Sequence, residues 1–300
     1  MLLSVTFFFQ IFSLIQLLIG IVGNLLIMTV NCRTWIKSKN LSSFDMILSS
    51  LSITRCICLC LICLYLSSTL LFPKNECHKL MYSIILTAWL FLDSCSLWIV
   101  TLLNIFYCVK IANFNHSSFL WLKRNISLKT PWLLLACLLV PVSSHFLIML
   151  VSKIPNFIGS SKENVRNSTM VHTSGSFLVV VSLGLSFSLQ FVINLVSCSL
   201  LISSLRRHIQ EMQKNASSFW NPQTEAHVGT MKVMIYFLIL YVPYSIARLI
   251  TFFPSYGIKN YWIKGISTMI NCTYSPGHTI FIMLLHPKLK ARIKNILWCN

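Results

Sequence analysis

The stretch NIFYCVKIANFNHSSFLWLKRNIS, Asn104–Ser127, changes character halfway along. Its first half finishes a long apolar run, and its second half has the chemistry of a loop, with Asn115, His116, Lys123 and Arg124. Between the two, FYCVKIANF crowds aromatic residues around a single lysine, Lys110. A segment that only anchors in lipid needs no such string. Lys110, Ile111, Asn113 and Phe114 are therefore candidates for a surface read by a protein partner. Reading the run before them as a membrane crossing decides the fold, because the rest of the chain repeats the pattern.

A helix that crosses the hydrocarbon core needs about 20 mostly apolar residues. Seven windows meet that demand: Phe7–Val30, Phe44–Leu71, Leu80–Phe106, Pro131–Val151, Phe177–Ser203, Met231–Phe253 and Ile263–Leu285. The first lacks the basic leader and small-residue cleavage site of a secretory signal, so it reads as a span behind a short tail. Composition agrees. The 300 residues are 56% hydrophobic and 10% charged, with a mean hydropathy of +0.75. A soluble domain carries about 25% charged residues, so this chain cannot coat a water-facing surface. The expected fold is an all-α membrane protein, one seven-helix transmembrane bundle over residues 1–300.

The net charge of +18 would suit a nucleic-acid binder only if it lay in solvated patches. Here the basic residues fall between the apolar runs, as expected of topology control at membrane surfaces and not of nucleic-acid binding. One set of loops receives Arg33, Lys37, Lys39, Lys110, Lys123, Arg124, Lys129, Arg206, Arg207, Lys214, Lys232, Lys288, Lys290, Arg292 and Lys294; the opposite set receives only Lys74, Lys79, Lys153, Lys162, Arg166, Lys259 and Lys264. The richer side is cytoplasmic by the positive-inside rule, which puts the N terminus outside and the C terminus inside. N-x-[ST] sequons occur at Asn40, Asn115, Asn125, Asn167, Asn215 and Asn271. Only Asn167 then faces the glycosylating lumen.

The twelve cysteines do not suggest a disulfide framework. CICLCLIC, holding Cys56, Cys58, Cys60 and Cys63, sits in an apolar run without a nearby His, Asp or Glu, and reads as small buried hydrophobes. No metal, cofactor or catalytic constellation is expected, hence no enzyme.

FYCVKIANFNHSSFLWLK closely resembles the string that ends the third helix and forms the second cytoplasmic loop of the bitter taste receptors, the type 2 taste receptor family of G-protein-coupled receptors. Asn115 stands for the family's usual serine. GIVGNLLI, with Gly20 and Asn24, looks like the family's first helix, and LSSLSITR, ending at Arg55, resembles its second. SLRRHIQEMQKNA and PQTEAHVGTMK resemble its third cytoplasmic loop. YSPGHTIFIMLLHPKLK resembles the end of its seventh helix, with Thr279 for the usual serine and His286 for a common asparagine. The outer segment 152–176 has no cysteine, which also resembles this family and not most rhodopsin-like receptors.

Arg55 lies ten residues after Asp45, about 15 Å up the second helix. A mid-membrane arginine costs roughly 2.5–3.5 kcal/mol on insertion scales and must find partners inside the bundle. The resemblance implies a network of Asn24, Arg55, His278 and Thr279, acting as a packing lock or an activation hinge. Trp89 and Asp93 share one face of the third helix, and Ser96 continues it. The resemblance implies that this face lines a ligand cavity, with Asp93 in place of an asparagine. Asp93 is either a protonated acid bonded to a neighbouring helix or an acceptor for a cationic ligand. Tyr241, Tyr244, Ser245 and Arg248 form one stripe of the sixth helix, on which Tyr241 and Tyr244 are candidates to meet ligand. Arg248 either snorkels to the outer interface or contacts ligand. Thr268 and Asn271 face the same cavity by resemblance, or tie helices together.

Lys110, Ile111, Asn113 and Phe114, with Arg206, Arg207 and His208, would by resemblance engage a heterotrimeric G protein of gustducin-like type. Anionic membrane lipid would also attract these basic loops. Residues 287–298 read as an amphipathic helix on the membrane, with Cys299 open to acylation. The function implied is detection of bitter small molecules. A vomeronasal type 1 receptor is the neighbouring alternative, against which the KIANF string argues. A transporter would carry internal repeats, and none is evident.

Overall fold

A computed structural model describes residues 2–71, 76–112, 117–158, 166–214, 222–252 and 261–297. Eight helices follow one another among them: α1 (Leu2–Ser38), α2 (Ser43–Leu71), α3 (Glu76–Ile111), α4 (Ser117–Ile158), α5 (Arg166–Lys214), α6 (Pro222–Phe252), α7 (Tyr261–Leu285) and α8 (Pro287–Leu297). Lipid offers nothing to pair with a free peptide group, so an apolar chain of this kind closes its backbone bonds within helices. Among the described residues, six helices are long and apolar enough to cross a membrane: within α1, α2, α3, α4, α5 and α6. The seventh apolar window, in α7, falls outside that set because Ser267, Asn271, Thr273, Ser275, His278 and Thr279 dilute it.

The helices are longer than the apolar windows. Ser117–Thr130, expected as loop, forms the first turns of α4, and its apolar stretch begins at Phe119 instead of Pro131. The segments expected as the third cytoplasmic loop likewise continue α5 to Lys214 and start α6 at Pro222. Helix geometry satisfies the backbone regardless of side-chain polarity, and long basic side chains reach the headgroups from within a helix.

α3 sits at the centre, touching α2, α4, α5 and α6, while α7 packs between α1 and α6. Apolar side chains face both ways. Leu48, Leu51, Val100, Leu103, Val233 and Phe237 form the core, whereas Val22, Leu64, Leu128, Trp132 and Leu185 are exposed on the outside. Polar residues are the ones turned inward: Asn24, Arg55, Asn104, Asn194, Arg248 and His278 are all buried. The approach of α1 to α7 depends on Gly20, where an added Cβ would lie 2.7 Å from Cγ of Pro276, a ring atom that cannot swing aside.

The ends of the helices have defined chemistry. Lys39 takes φ 56° as it leaves α1, and its amide bonds to the Trp35 carbonyl at 2.8 Å. Ser42 caps the start of α2: the Asp45 amide donates to Ser42 Oγ at 3.2 Å, and Ser42 Oγ donates to Asp45 Oδ2 at 2.8 Å. His286 caps α8: its Nδ1 accepts the Leu289 amide at 3.3 Å, and Pro287 fills the first helical position, where no amide donor is needed. α8 is docked by Arg292 Nη1 on Asp45 Oδ1 at 2.8 Å and by His286 stacked on Phe44 at 4.4 Å between ring centroids.

Candidate functional site

Asp93 of α3 faces Arg248 and Tyr244 of α6. Arg248 Nη2 lies 3.0 Å from Asp93 Oδ2, and the Tyr244 hydroxyl donates to the same oxygen. The guanidinium carbon of Arg248 stands 3.9 Å from the ring centroid of Trp89, one turn before Asp93. Each of these two residues, left with two alternatives by the sequence, has the other as its partner. The Asp93 carboxyl group has its counter-charge from within the chain, and the buried Arg248 guanidinium has its partner in it. Arg248 does not snorkel: it is 1% exposed, because the pair and the indole face hold it inside. Around this pair Phe187 of α5 meets Tyr244 edge-on at 6.2 Å, and Tyr274 of α7 lies against it at 4.4 Å.

Ser96, expected on the same cavity-lining face, serves a second cluster one turn further along α3. Arg55 Nε donates to Ser96 Oγ at 3.2 Å, Nη1 to Thr279 Oγ1 at 3.2 Å, and Nη2 to His278 Nδ1 at 3.0 Å. A guanidinium only donates, so Nδ1 accepts and the imidazole proton sits on Nε2. Thr279 reaches Asn24 Oδ1 at 3.4 Å, and the guanidinium carbon lies 5.7 Å from the ring centroid of Tyr274. The four residues named as a network by resemblance are thus together, with Ser96 as a fifth member. Each partner of Arg55 is neutral, so hydrogen bonds and the Tyr274 ring compensate for its lost hydration.

A third polar cluster was missed. Asn104 Nδ2 donates to Asn194 Oδ1 at 2.7 Å, and Asn194 Nδ2 to Thr101 Oγ1 at 3.0 Å. Tyr241 donates to the Phe187 carbonyl at 3.0 Å and to Gln190 Oε1 at 3.1 Å. Tyr241, expected to meet ligand, is buried and spends its hydroxyl on α5. Thr101 with Asn104 on α3, and Gln190 with Asn194 on α5, have the spacing of one helix face, which is the signal that would have found them. Asn271 of α7 donates to Thr251 of α6 at 3.3 Å, and Thr268 lies one turn away on α7.

At the other end of α3, Lys110 Nζ reaches the Lys123 carbonyl at 3.4 Å, while Lys123 Nζ donates to the Ala112 carbonyl at 3.0 Å. The two lysines cross-cap the gap between α3 and α4. Lys110 remains exposed, Ile111 packs half-buried against the core, and Arg206 and Arg207 are exposed on α5. Asn113 and Phe114 lie outside the described residues, as do the side chains of Asn167 and His208.

A bundle of this kind, polar inside and apolar outside, defines a helical membrane protein with rhodopsin's architecture. It superposes on the crystal structure of squid rhodopsin with a TM-score of 0.65, covering 99% of this chain and 87% of that one at 14% identity, so the fold is shared. The family model described as taste receptor protein (TAS2R) matches residues 1–300. The chain is 51% identical over 288 residues to taste receptor type 2 member 4 of Homo sapiens and of Pan troglodytes, covering 95% of each sequence. To the Rattus norvegicus protein of the same name it is 48% identical over 282 residues, 93% of this chain and 90% of that one. The chain belongs to the type 2 taste receptor family, and is a chemosensory receptor that spans the plasma membrane several times.

Proposed function

We propose that this receptor binds bitter small molecules between α3, α6 and α7 and passes the signal to a heterotrimeric G protein of gustducin-like type. The observation that carries the reading is the Asp93–Arg248–Trp89–Tyr244 cluster. It is a charged, aromatic group held inside a membrane bundle, with 14% of the Asp93 side chain still accessible. Burying such a pair is at best neutral for stability relative to apolar packing, so its retention fits recognition or switching. A panel of bitter compounds applied to cells expressing the receptor with a gustducin-like chimera should release calcium. That response should vanish without the chimera. Uptake of a compound without G-protein dependence would point to transport instead.

In this reading α7 is the seventh span, the N terminus is extracellular and the C terminus cytoplasmic, following the charge asymmetry of the loops. Tags at the two ends should then be accessible from opposite sides of the cell, and Asn167→Gln should remove the whole glycan shift. Both tags reachable in intact cells, or a shift that survives the substitution, would sink the topology.

The cytoplasmic face is built from Lys110, Ile111, Asn113, Phe114, Arg206, Arg207 and His208, with anionic lipid beside it. Lys110→Ala should lower G-protein activation several-fold while surface expression falls little. The cross-capping by Lys123 keeps the α3 end closed, and an exposed hydrogen bond of this kind is worth only about 1 kcal/mol. Expression falling in step with signalling would reduce Lys110 to an anchor.

A further inference from the structure

We infer that the Asp93–Arg248 pair tunes this receptor to uncharged ligands that donate a hydrogen bond from beside an aromatic ring, and away from ligands whose affinity depends on a lone ammonium group. The inference rests on the reading above, that ligands bind at this cluster. An acidic residue stacked with a tryptophan inside a membrane looks like a cation site, but the cation is already there. Arg248 occupies both features an ammonium would use: its Nη2 sits on the carboxylate at 3.0 Å, and its guanidinium covers the indole face at 3.9 Å. It is tethered to α6 and 1% exposed, so a dissolved amine must displace a permanently present competitor. An amine that approached without displacing it would meet a carboxylate whose charge is already compensated, beside a like charge.

One function of the cluster remains open. Both contacts to Asp93 converge on Oδ2: the Arg248 nitrogen and the Tyr244 hydroxyl. No described group donates to Oδ1, and the Asp93 side chain keeps 14% of its surface accessible. A carboxylate oxygen only accepts, so the ligand must bring an N–H or O–H. The indole of Trp89, one turn away on α3, is only partly buried and would offer an aromatic frame an apolar surface. The matching chemistry is a neutral aromatic amide, lactam or phenol.

Three compounds on one frame test this in cells expressing the full-length receptor: N-(2-phenylethyl)acetamide, its N-methyl derivative and phenethylamine. The N–H amide should be more potent than the N-methyl amide by about ten- to a hundredfold, the range of one hydrogen bond to a charged group. Phenethylamine should be no more potent than the N–H amide. An amine at least tenfold more potent than the amide, or N-methylation without effect, overturns the inference. So does inactivity of all three both as agonists and as competitors of an agonist from the bitter panel. Trp89→Ala separates this from failure of the underlying reading. If no agonist shifts in that variant at normal surface expression, ligands bind elsewhere; if agonists shift but the amine is preferred, only the ligand class falls.

Discussion

Asp93→Asn should lower surface expression and shift the dose response of every agonist to the right, charged or neutral alike. The substitution keeps the shape of the side chain and removes its charge, leaving Arg248 buried without its counter-ion. Removing one partner of a buried ion pair costs about 3–5 kcal/mol, most of it the penalty on the charge left behind. Arg248→Gln should do the same from the other side. The double variant Asp93→Asn/Arg248→Gln removes both charges and should recover most of the lost expression, because an amide pair needs no counter-charge. The coupling in that cycle should therefore be large and of rescuing sign. A carboxylate waiting for a cationic ligand would behave otherwise: Asp93→Asn would then weaken amines alone, and adding Arg248→Gln would bring no recovery. Surface labelling and dose–response curves for one neutral and one cationic agonist across the four proteins decide between the two.

Arg55 should be still less tolerant. Arg55→Ala opens a cavity at the junction of α2, α3 and α7 and leaves His278 Nδ1 as a buried acceptor without its donor. Each buried polar group left so costs about 1–3 kcal/mol. The expected result is retention inside the cell and no measurable response. Arg55→Lys is the sharper comparison. It keeps the charge but replaces a planar fork, which serves Ser96, Thr279 and His278 at once, by a point charge on a flexible stem. Partial expression with most of the agonist response lost is expected. A lysine variant that signals like the unmodified receptor would mean that charge alone, not the three-way fork, matters at this position.

The difference between what could and could not be read from the sequence lies in how far each interaction reaches. Apolar windows announced the helices because membrane insertion depends on the sum over about 20 neighbouring residues. The start of α4 was hidden for the same reason: Ser117–Thr130 is too polar to sum to a span, yet nothing stops it from being helical. Arg55 could be read as a residue in need of partners from its depth alone, and resemblance supplied Asn24, His278 and Thr279. The partner of Asp93 could not be read in that way. Arg248 stands 155 positions further on by numbering, and each residue has a plausible account by itself, one as a protonated acid and the other as a snorkelling base. Only the packing of α6 against α3 shows that each answers the other.

The Asp45–Arg292 contact has a consequence for how the chain is made. Asp45 emerges from the ribosome early, and its ionic partner comes 247 residues later. Arg55 waits 224 residues for Thr279. Through most of synthesis the second helix therefore holds a buried acid and a buried base without their final partners. A chain stopped after Leu285 keeps α1 to α7 and loses α8, and with it Arg292, Leu289 and the His286 cap. It should nevertheless be retained and degraded before reaching the cell surface. His286 and Arg292, far along the chain, complete the second helix, and in that sense the receptor's early part is finished by its late part.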